Sequence, residues 1–208
     1  MTHTLHRRGS VEDLHEDFVM LIMPARGFNL QGSEGKMRQI WGVVSHYEGV
    51  LTNFGSPEIG NSHRTTMDKL KKATHRISHA VFKDRENVKA CLKELKDRDF
   101  GISVVISGLY EETEKMCAEV GLKPHTVEHS LGIHGRTERL PDENALEMTT
   151  MCGHALVSPN LVFHMVDELQ AGRITYGEAA RKLSMMCVCG IFNPYRAEKI
   201  LRRLTMNA

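Results

Sequence analysis

Two spacings of hydrophobic residues alternate along the first two thirds of this chain. Short runs that are apolar, or that alternate apolar and polar residues, are typical of β-strands. They predict strands at 17–24, 50–54, 100–107 and 126–133. Apolar residues that recur every three or four positions indicate helices between these strands. They predict helices at 37–44, 65–82, 84–96 and 110–120.

Residues 136–208 carry only the helical spacing, so the chain divides into regions. Residues 1–16 are polar and predict an N-terminal arm. An α/β domain is expected at 17–135, followed by a helical, cysteine-bearing subdomain. Alternating helices and strands are typical of an α/β fold or of a ferredoxin-like α+β fold. The sequence therefore predicts a small sheet of three or four strands with helices, followed by a C-terminal helical metal-binding subdomain.

The C-terminal region contains residues that are typical of the starts and ends of helices. Ser158 before Pro159 is a helix start, and Gly172 is suited to end that helix. Thr175 and Glu178 have the spacing of a capping box for the next helix. The connection between the two helices is short, which predicts an antiparallel pair. The second helix therefore returns the chain to the end at which the first one begins.

Three of the five cysteines lie at that end of the predicted pair. Cys152 precedes the first helix, whereas Cys187 and Cys189 follow the second, so the hairpin should bring all three together. His154 is two residues from Cys152 and could reach the same point. Thiols held together in a reducing compartment are metal ligands more often than disulfides. We therefore expect a metal centre held by these cysteines, with His154 as the candidate fourth ligand.

The chemistry of thiolates restricts the metal to a few classes. Soft thiolates select zinc, copper(I) or iron–sulfur clusters. The chain lacks the C-x-x-C pairs that are usual in structural zinc sites, and the tighter pair Cys187 and Cys189 favours two irons of one cluster. Three cysteines leave one iron of a [4Fe–4S] cluster for His154 or for a substrate. Zinc with three cysteines and His154 is one alternative. The other is a site without metal, in which Cys152 is simply a small buried residue.

Histidine and basic residues supply candidates for catalysis and substrate binding. His129, His134 and Arg136 lie between the last predicted strand and the first cysteine of the site. Either histidine could act as a general base, and Arg136 could hold an anion. The glycine-rich loop before the first long helix contains Arg26 and Lys36. These two residues could bind an anion beside the helix N-terminus.

Composition narrows the classes of function. The net charge of +1 does not favour a general nucleic-acid or membrane surface. The chain has no apolar run of about 20 residues, as a membrane span would need, and its start does not have the pattern of a signal peptide. We therefore expect a cytoplasmic protein. Seven lysines and arginines against two acids between 173 and 203 could bind DNA phosphates, but we expect these charges to solvate one face of the helices.

Together these features predict an iron–sulfur enzyme of the lyase, sulfur-transfer or reductive type that acts on a small anionic metabolite. Such oxygen-sensitive chemistry is typical of anaerobic metabolism. A metal-stabilised regulator and an accessory or electron-carrier protein without catalysis are the alternatives. The partners considered are a second copy of the chain, giving a homodimer, or a larger redox enzyme. No nucleic-acid or membrane partner is expected.

Overall fold

The computed structural model describes residues 4–206, which contain one five-stranded sheet. All neighbouring strands are antiparallel, in the order β3-β2-β4-β1-β5. In the centre, Phe18 lies opposite Phe82, and Val19 lies opposite Ser107. The strands are β1 (Phe18–Met23), β2 (Leu51–Ser56), β3 (Gly60–Asn61), β4 (Ser78–Phe82) and β5 (Ser103–Ser107).

Nine α-helices accompany the sheet in the described part of the chain. They are α1 (Val11–Leu14), α2 (Glu34–Val44), α3 (Met67–Lys72), α4 (Arg85–Arg98), α5 (Tyr110–Glu119), α6 (Glu143–Thr149), α7 (Pro159–Gln170), α8 (Tyr176–Met186) and α9 (Pro194–Met206). Short 3-10 helices lie at Ser45–Val50 and Thr137–Arg139. Between 136 and 206 the chain forms helices and no strand, as predicted. Among residues 4–206, no helix combines the length and apolar composition needed to cross a membrane.

The fold is mixed α/β, so the predicted combination of a sheet with helices is confirmed. The four longer strands and two helices follow the order β1-α2-β2-β4-α4-β5. That order belongs to the split β-α-β arrangement, in which an antiparallel neighbour separates the strands joined by each helix. The prediction of three or four strands missed two of the five: β3, which has only two residues and leaves no sequence signal, and β4, which it placed in a helix.

The prediction of one helix at 65–82 is wrong. Thr66 caps α3, which ends at Lys72, and Ala73 then has an extended conformation. The following residues form β4, which lies between β2 and β1. All five residues of β4 are buried, so it shows no alternation of apolar and polar positions. A strand buried on both faces cannot be distinguished from a helix by its spacing alone.

The predicted strand at 126–133 is also wrong. In the structure this segment has no regular secondary structure, and residues 126–132 are exposed. It follows α5 and lines a cavity beside β5, which is an edge strand of the sheet. Gly132 has a φ of +95°, which interrupts an extended backbone. Too few apolar side chains are buried here to stabilise a further strand.

Each face of the sheet has its own hydrophobic core. Residues of β1 alternate between the two faces, with Phe18 and Met20 on one side and Val19 on the other. Helices α2 to α5 cover the first face. Helices α6 to α9 cover the second face, where they contact Val19 and Val81. The helical region that contains the three cysteines is therefore packed directly on the sheet.

A buried carboxylate joins the start of β1 to the last helix. Asp17 forms ion pairs with Arg7 and, at 2.9 Å, with Nη1 of Arg196. The side-chain amide of Asn193 also donates a hydrogen bond to Asp17 at 3.1 Å. Burial raises the pKa of Asp17, but the charges of Arg7 and Arg196 lower it more, so the pKa lies below its ordinary value. Asp17 is therefore ionised inside the protein.

The predicted N-terminal arm at 1–16 is held on the protein from residue 4 onward. Ser10 caps α1, and Arg8 forms an ion pair with Glu143 of α6. The Arg8 carbonyl accepts a hydrogen bond from Arg196. Residues 1–3 of the arm, like residues 207–208 at the other end, lie outside the described part. These contacts hold the arm against α6 and α9.

Replacing Asp17 with Asn should lower the free energy of unfolding by about 3–5 kcal/mol, because it leaves two buried guanidinium groups without a counter-charge. The lowered pKa also means that wild-type stability is full above about pH 4 and is lost as the pH falls through the folded-state pKa. Urea unfolding between pH 7 and pH 2 measures both effects. Asp97→Asn is the control, because Asp97 pairs with Lys93 on the surface. An equal acid dependence in Asp17→Asn and wild type would contradict the assignment.

Candidate functional site

The hairpin of α7 and α8 forms as its capping residues predict. The hydroxyl of Ser158 accepts a hydrogen bond from the Leu161 amide at 3.2 Å. Thr175 and Glu178 form a complete capping box at the start of α8. Because α8 runs back along α7, the chain after α8 returns to the segment that precedes α7.

That return brings the three cysteines and one histidine into contact. The sulfurs of Cys187 and Cys189 are 3.9 Å apart. The sulfur of Cys189 lies 3.8 Å from Nδ1 of His154. The thiols of Cys152 and Cys187 lie close enough for each to shift the pKa of the other. These four side chains, here called the cysteine site, thus form a continuous chain of contacts.

The cysteine site is buried on the protein side and open on the other. The side chains of Cys152, Cys187 and Cys189 are 2%, 0% and 3% exposed, whereas His154 is exposed. All three thiols are free of disulfides. A small molecule could therefore reach the site only from the side of His154.

Burial and mutual contact separate the pKa values of the three thiols. The hydrogen bond from Cys187 lowers the pKa of Cys189, and the Ile191 amide adds to this effect against the influence of burial. Cys152 lowers the pKa of Cys187, but the contact with Cys189 and burial raise it more, to about 11. The contact with Cys187, followed by burial, raises the pKa of Cys152. Ionisation of one thiol is thus favoured, whereas ionisation of all three would require a nearby positive charge.

The donor atoms of the cysteine site do not yet surround one point. In residues 4–206, no group of three or more His, Cys, Asp or Glu side chains is arranged to hold a metal ion as the side chains stand. Each cysteine has a single rotatable bond that repositions its sulfur. Small rotations of these side chains would be needed for all four to face a common centre.

Polar side chains of the sheet hold the loop that contains Cys187 and Cys189. Nδ2 of Asn61 donates to the Cys187 carbonyl at 2.9 Å. Nδ1 of His79 lies 2.9 Å from the Cys189 carbonyl, so this ring nitrogen is the donor. Nδ2 of Asn53 donates to the Phe192 carbonyl at 2.8 Å. The sheet therefore fixes the backbone of the loop on both sides of its cysteines.

Gly190 allows this loop to approach the sheet closely. Its φ is +79°, in the left-handed region, and a Cβ atom would overlap the Phe54 carbonyl of β2. Only glycine meets both requirements.

Arg7 connects the two segments that carry the cysteines. Its guanidinium donates to the Met151 carbonyl at 3.1 Å and also to the Ile191 carbonyl. Met151 precedes Cys152, whereas Ile191 follows the Cys187–Cys189 loop. The same guanidinium pairs with Asp17. One buried side chain thus ties both halves of the cysteine site to the start of β1.

Sequence reasoning missed Arg7, Asn53, Asn61 and His79 as residues that position the site. Asn53 and Asn61 are almost fully buried in strands, where asparagine is normally disfavoured, and this was an available signal. The predicted helix at 65–82 hid the role of His79. His79 lies in β4 and not in a helix.

His129, His134 and Arg136 have neighbours within their own part of the chain. The His129 ring lies 4.8 Å from the Tyr110 ring of α5. His134 contacts the Leu131 carbonyl, and Arg136 is exposed at the start of a 3-10 helix. His129 also lines the cavity of about 400 Å³ beside β5. Their catalytic roles stay predictions, because these contacts do not involve the cysteine site.

Arg26 and Lys36 both lie near the glycine-rich loop before α2. Arg26 is exposed in the loop, and Lys36 is exposed in the first turn of α2. The Lys36 ammonium extends towards Gly101. The role of both residues in anion binding stays a prediction.

The basic residues of the last helices are largely paired with acids. Of the seven between 173 and 203, five form ion pairs in the structure: Arg173, Arg196, Lys199, Arg202 and Arg203. Arg196 is fully buried and cannot contact DNA. This surface therefore offers fewer cations to phosphates than the sequence count indicates.

A comparison of the chain with protein-family models, curated proteins and solved structures finds no match. The geometry of the cysteine site therefore carries the functional argument.

Replacing Gly190 with Ala should lower the free energy of unfolding by at least about 1–3 kcal/mol and expose Cys187 and Cys189, because strained backbone and steric overlap both displace the loop. Urea unfolding and the rate of thiol modification by a disulfide reagent measure these effects. Gly172→Ala is the control, since Gly172 also has a positive φ, +66°, but no atom lies within 4 Å of the added Cβ. Thiol modification at the same rate in both variants would contradict the role of Gly190.

Proposed function

We propose that this protein is a metalloprotein whose metal centre is formed by Cys152, Cys187 and Cys189, with His154 at the exposed fourth position. The observation that carries this proposal is the convergence of the four side chains from two distant segments. A structural role alone would not require three buried thiols in mutual contact. A metal cation would supply the positive charge that allows all three to ionise.

The spacing of the donor atoms favours a single ion. Zinc binds thiolates at about 2.3 Å, so two sulfurs of a tetrahedral site lie about 3.8 Å apart. The sulfurs of Cys187 and Cys189 are 3.9 Å apart. The distance of 3.8 Å between Cys189 and His154 is also close to what such a site needs. Zinc with three cysteines and one histidine is therefore the first candidate.

A [4Fe–4S] cluster held by the three cysteines is the second candidate. The exposure of His154 favours it, because the open side could admit a larger group if this ring moved outward. The cluster places a cube of iron and sulfide between its cysteines, so the sulfurs must lie further apart than they do here. The loop would have to open, and its attachment to the sheet by Asn61 and His79 opposes this change.

The proposed activity is that of an enzyme that binds a small anionic metabolite at the metal. Structural zinc sites are closed by four protein ligands, whereas catalytic sites keep one position for water or substrate. Here three ligands would be buried, whereas His154 is exposed, so an anionic metabolite would bind by displacing His154 from the fourth position. A ferredoxin-like α+β unit would then serve as the scaffold for the helical metal-binding region. An accessory or regulatory protein with a closed metal site is the alternative.

Anaerobically purified protein should contain about one metal centre per chain. We expect one zinc ion and no acid-labile sulfide. Elemental analysis combined with a sulfide assay makes the measurement. Iron and sulfide in equal amounts would indicate that the centre is the [4Fe–4S] cluster and not zinc. Protein that contains none of these metals, and that binds neither zinc nor iron with sulfide when they are added, would contradict the proposal.

Serine substitution should distinguish the cysteines of the site from those elsewhere by its effect on metal content. Replacing Cys152, Cys187 or Cys189 with Ser should remove the metal, because the hydroxyl is a poor ligand, and should also lower stability, because metal binding is coupled to folding. Cys91→Ser is the control, since Cys91 is fully buried on α4 and its pKa is raised to about 12 by burial and by Glu94. It should keep the metal at a stability cost of about 1–3 kcal/mol. Full metal content in all three site variants would refute the ligand assignment.

A further inference from the structure

Cys187 and Cys189 lie close enough together to react with each other as well as with a metal. Both are free thiols, and their sulfurs are 3.9 Å apart. The Gly190 amide donates to the Cys187 carbonyl at 3.2 Å, so residues 187–190 form a β-turn that keeps the two cysteines together. Rotation about the Cα–Cβ bonds can bring the sulfurs to the distance of about 2.0 Å that a disulfide needs. The loop therefore holds two thiols that can be joined without moving one segment of the chain against another.

An exposed turn separates the site thiols from the solvent. All of the residues 153–156 are exposed. The His154 amide lies beside the Cys152 thiol, and Nδ1 of the same residue is 3.8 Å from the Cys189 sulfur. Ala155 has a φ of +55°, a left-handed conformation that costs free energy in an alanine. Local opening of such a turn gives a small solute access to Cys189, the cysteine that contacts the exposed histidine.

Cys91 and Cys117 lack this arrangement. Cys91 is in the core on the opposite face of the sheet, where its sulfur contacts that of Met20 at 3.9 Å. Cys117 is half-buried on α5, and burial raises the pKa of its thiol. Buried thiols of this structural kind react slowly with oxidants. These two cysteines therefore serve as internal controls for the reactivity of the cysteine site.

We propose that Cys187 and Cys189 form a dithiol that hydroperoxides, of which hydrogen peroxide is the simplest, convert to a disulfide. The inference rests on the proposed metal centre in one respect, because it adds a regulation of that centre. A disulfide sulfur carries no charge and is a poor metal ligand, since the thiolate is the form that binds metals. Oxidation would leave only Cys152 and His154 to hold the metal. The site would thus keep its metal in a reducing compartment and release it under oxidising conditions.

The reaction balances with peroxide as the only oxidant. The Cys189 sulfur bonds to one peroxide oxygen while the O–O bond breaks, which gives a sulfenic acid and one water. The Cys187 sulfur then attacks the Cys189 sulfur and displaces its hydroxyl group, which leaves with the Cys187 proton as a second water. The two sulfurs lose two electrons in total, and these electrons reduce the peroxide. A small dithiol reverses the step by thiol–disulfide exchange and is itself oxidised to a disulfide.

Peptide mass mapping of the full-length protein after treatment with hydrogen peroxide tests the proposal, once the remaining thiols have been blocked by alkylation. We expect a disulfide between Cys187 and Cys189 that forms at least about tenfold faster than Cys91 or Cys117 is oxidised. Treatment with a dithiol should restore both thiols. Site thiols that stay reduced, or a disulfide that joins Cys152 to one of the other two, would overturn the proposal.

Zinc release, measured in the same samples with a coloured zinc chelator, distinguishes this proposal from the proposed function. Protein that holds zinc should release it as the disulfide forms. A disulfide in protein that binds no metal would support the dithiol and contradict only the metal centre. Bound zinc with Cys187 and Cys189 still reduced would contradict the dithiol and leave the metal centre standing.

Cys187→Ala tests the second step, because it removes the thiol that attacks the sulfenic acid. Peroxide should then leave Cys189 as a sulfenic acid, which the carbon nucleophile dimedone captures. Cys117→Ala is the matched control and should form the disulfide at the wild-type rate. A disulfide between Cys152 and Cys189 that forms at the wild-type rate in Cys187→Ala would contradict the assigned pair. The mapping of the wild-type protein does not depend on the folding of this variant.

Discussion

The buried contact between Asp17 and Arg7 is the interaction on which the arrangement of the molecule depends. Asp17 lies directly before strand β1, and Arg7 extends from it to the backbone on both sides of the cysteine site. Arg196 binds the same carboxylate from the last helix. A buried charge is tolerated only when it is paired and hydrogen-bonded. The network therefore fixes the N-terminal segment, the sheet and the helical region relative to one another.

This network also limits the movement of the segments that carry the site cysteines. Flexible thiols could avoid one another, but here the backbone on each side is fixed by Arg7, Asn61 and His79. The thiols are held in contact with a single ionisation favoured among them. Ionisation of the other two thiols is opposed, because neighbouring thiolates repel one another. A bound cation would remove this opposition and would attract all three thiolates to a common centre.

The sequence predicted the parts of the site that depend on local rules. Ser158, Thr175 and Gly172 determine where two helices begin and end, and this was enough to bring distant cysteines together. It could not predict the contacts that hold the loop on the sheet. Asn61 and Cys187 are separated by 126 residues, and such pairing depends on the completed fold. The fully buried strand β4 has no alternation, so it was mistaken for a helix, and His79 was misplaced with it.

X-ray absorption spectroscopy of the metal-loaded protein tests the central claim most directly, because it reports the atoms that surround the metal. We predict a zinc shell of three sulfurs at about 2.3 Å and one nitrogen at about 2.0–2.1 Å. The nitrogen contribution should be replaced by oxygen in His154→Ala. A shell of only nitrogen and oxygen, or fewer than three sulfurs, would contradict the account.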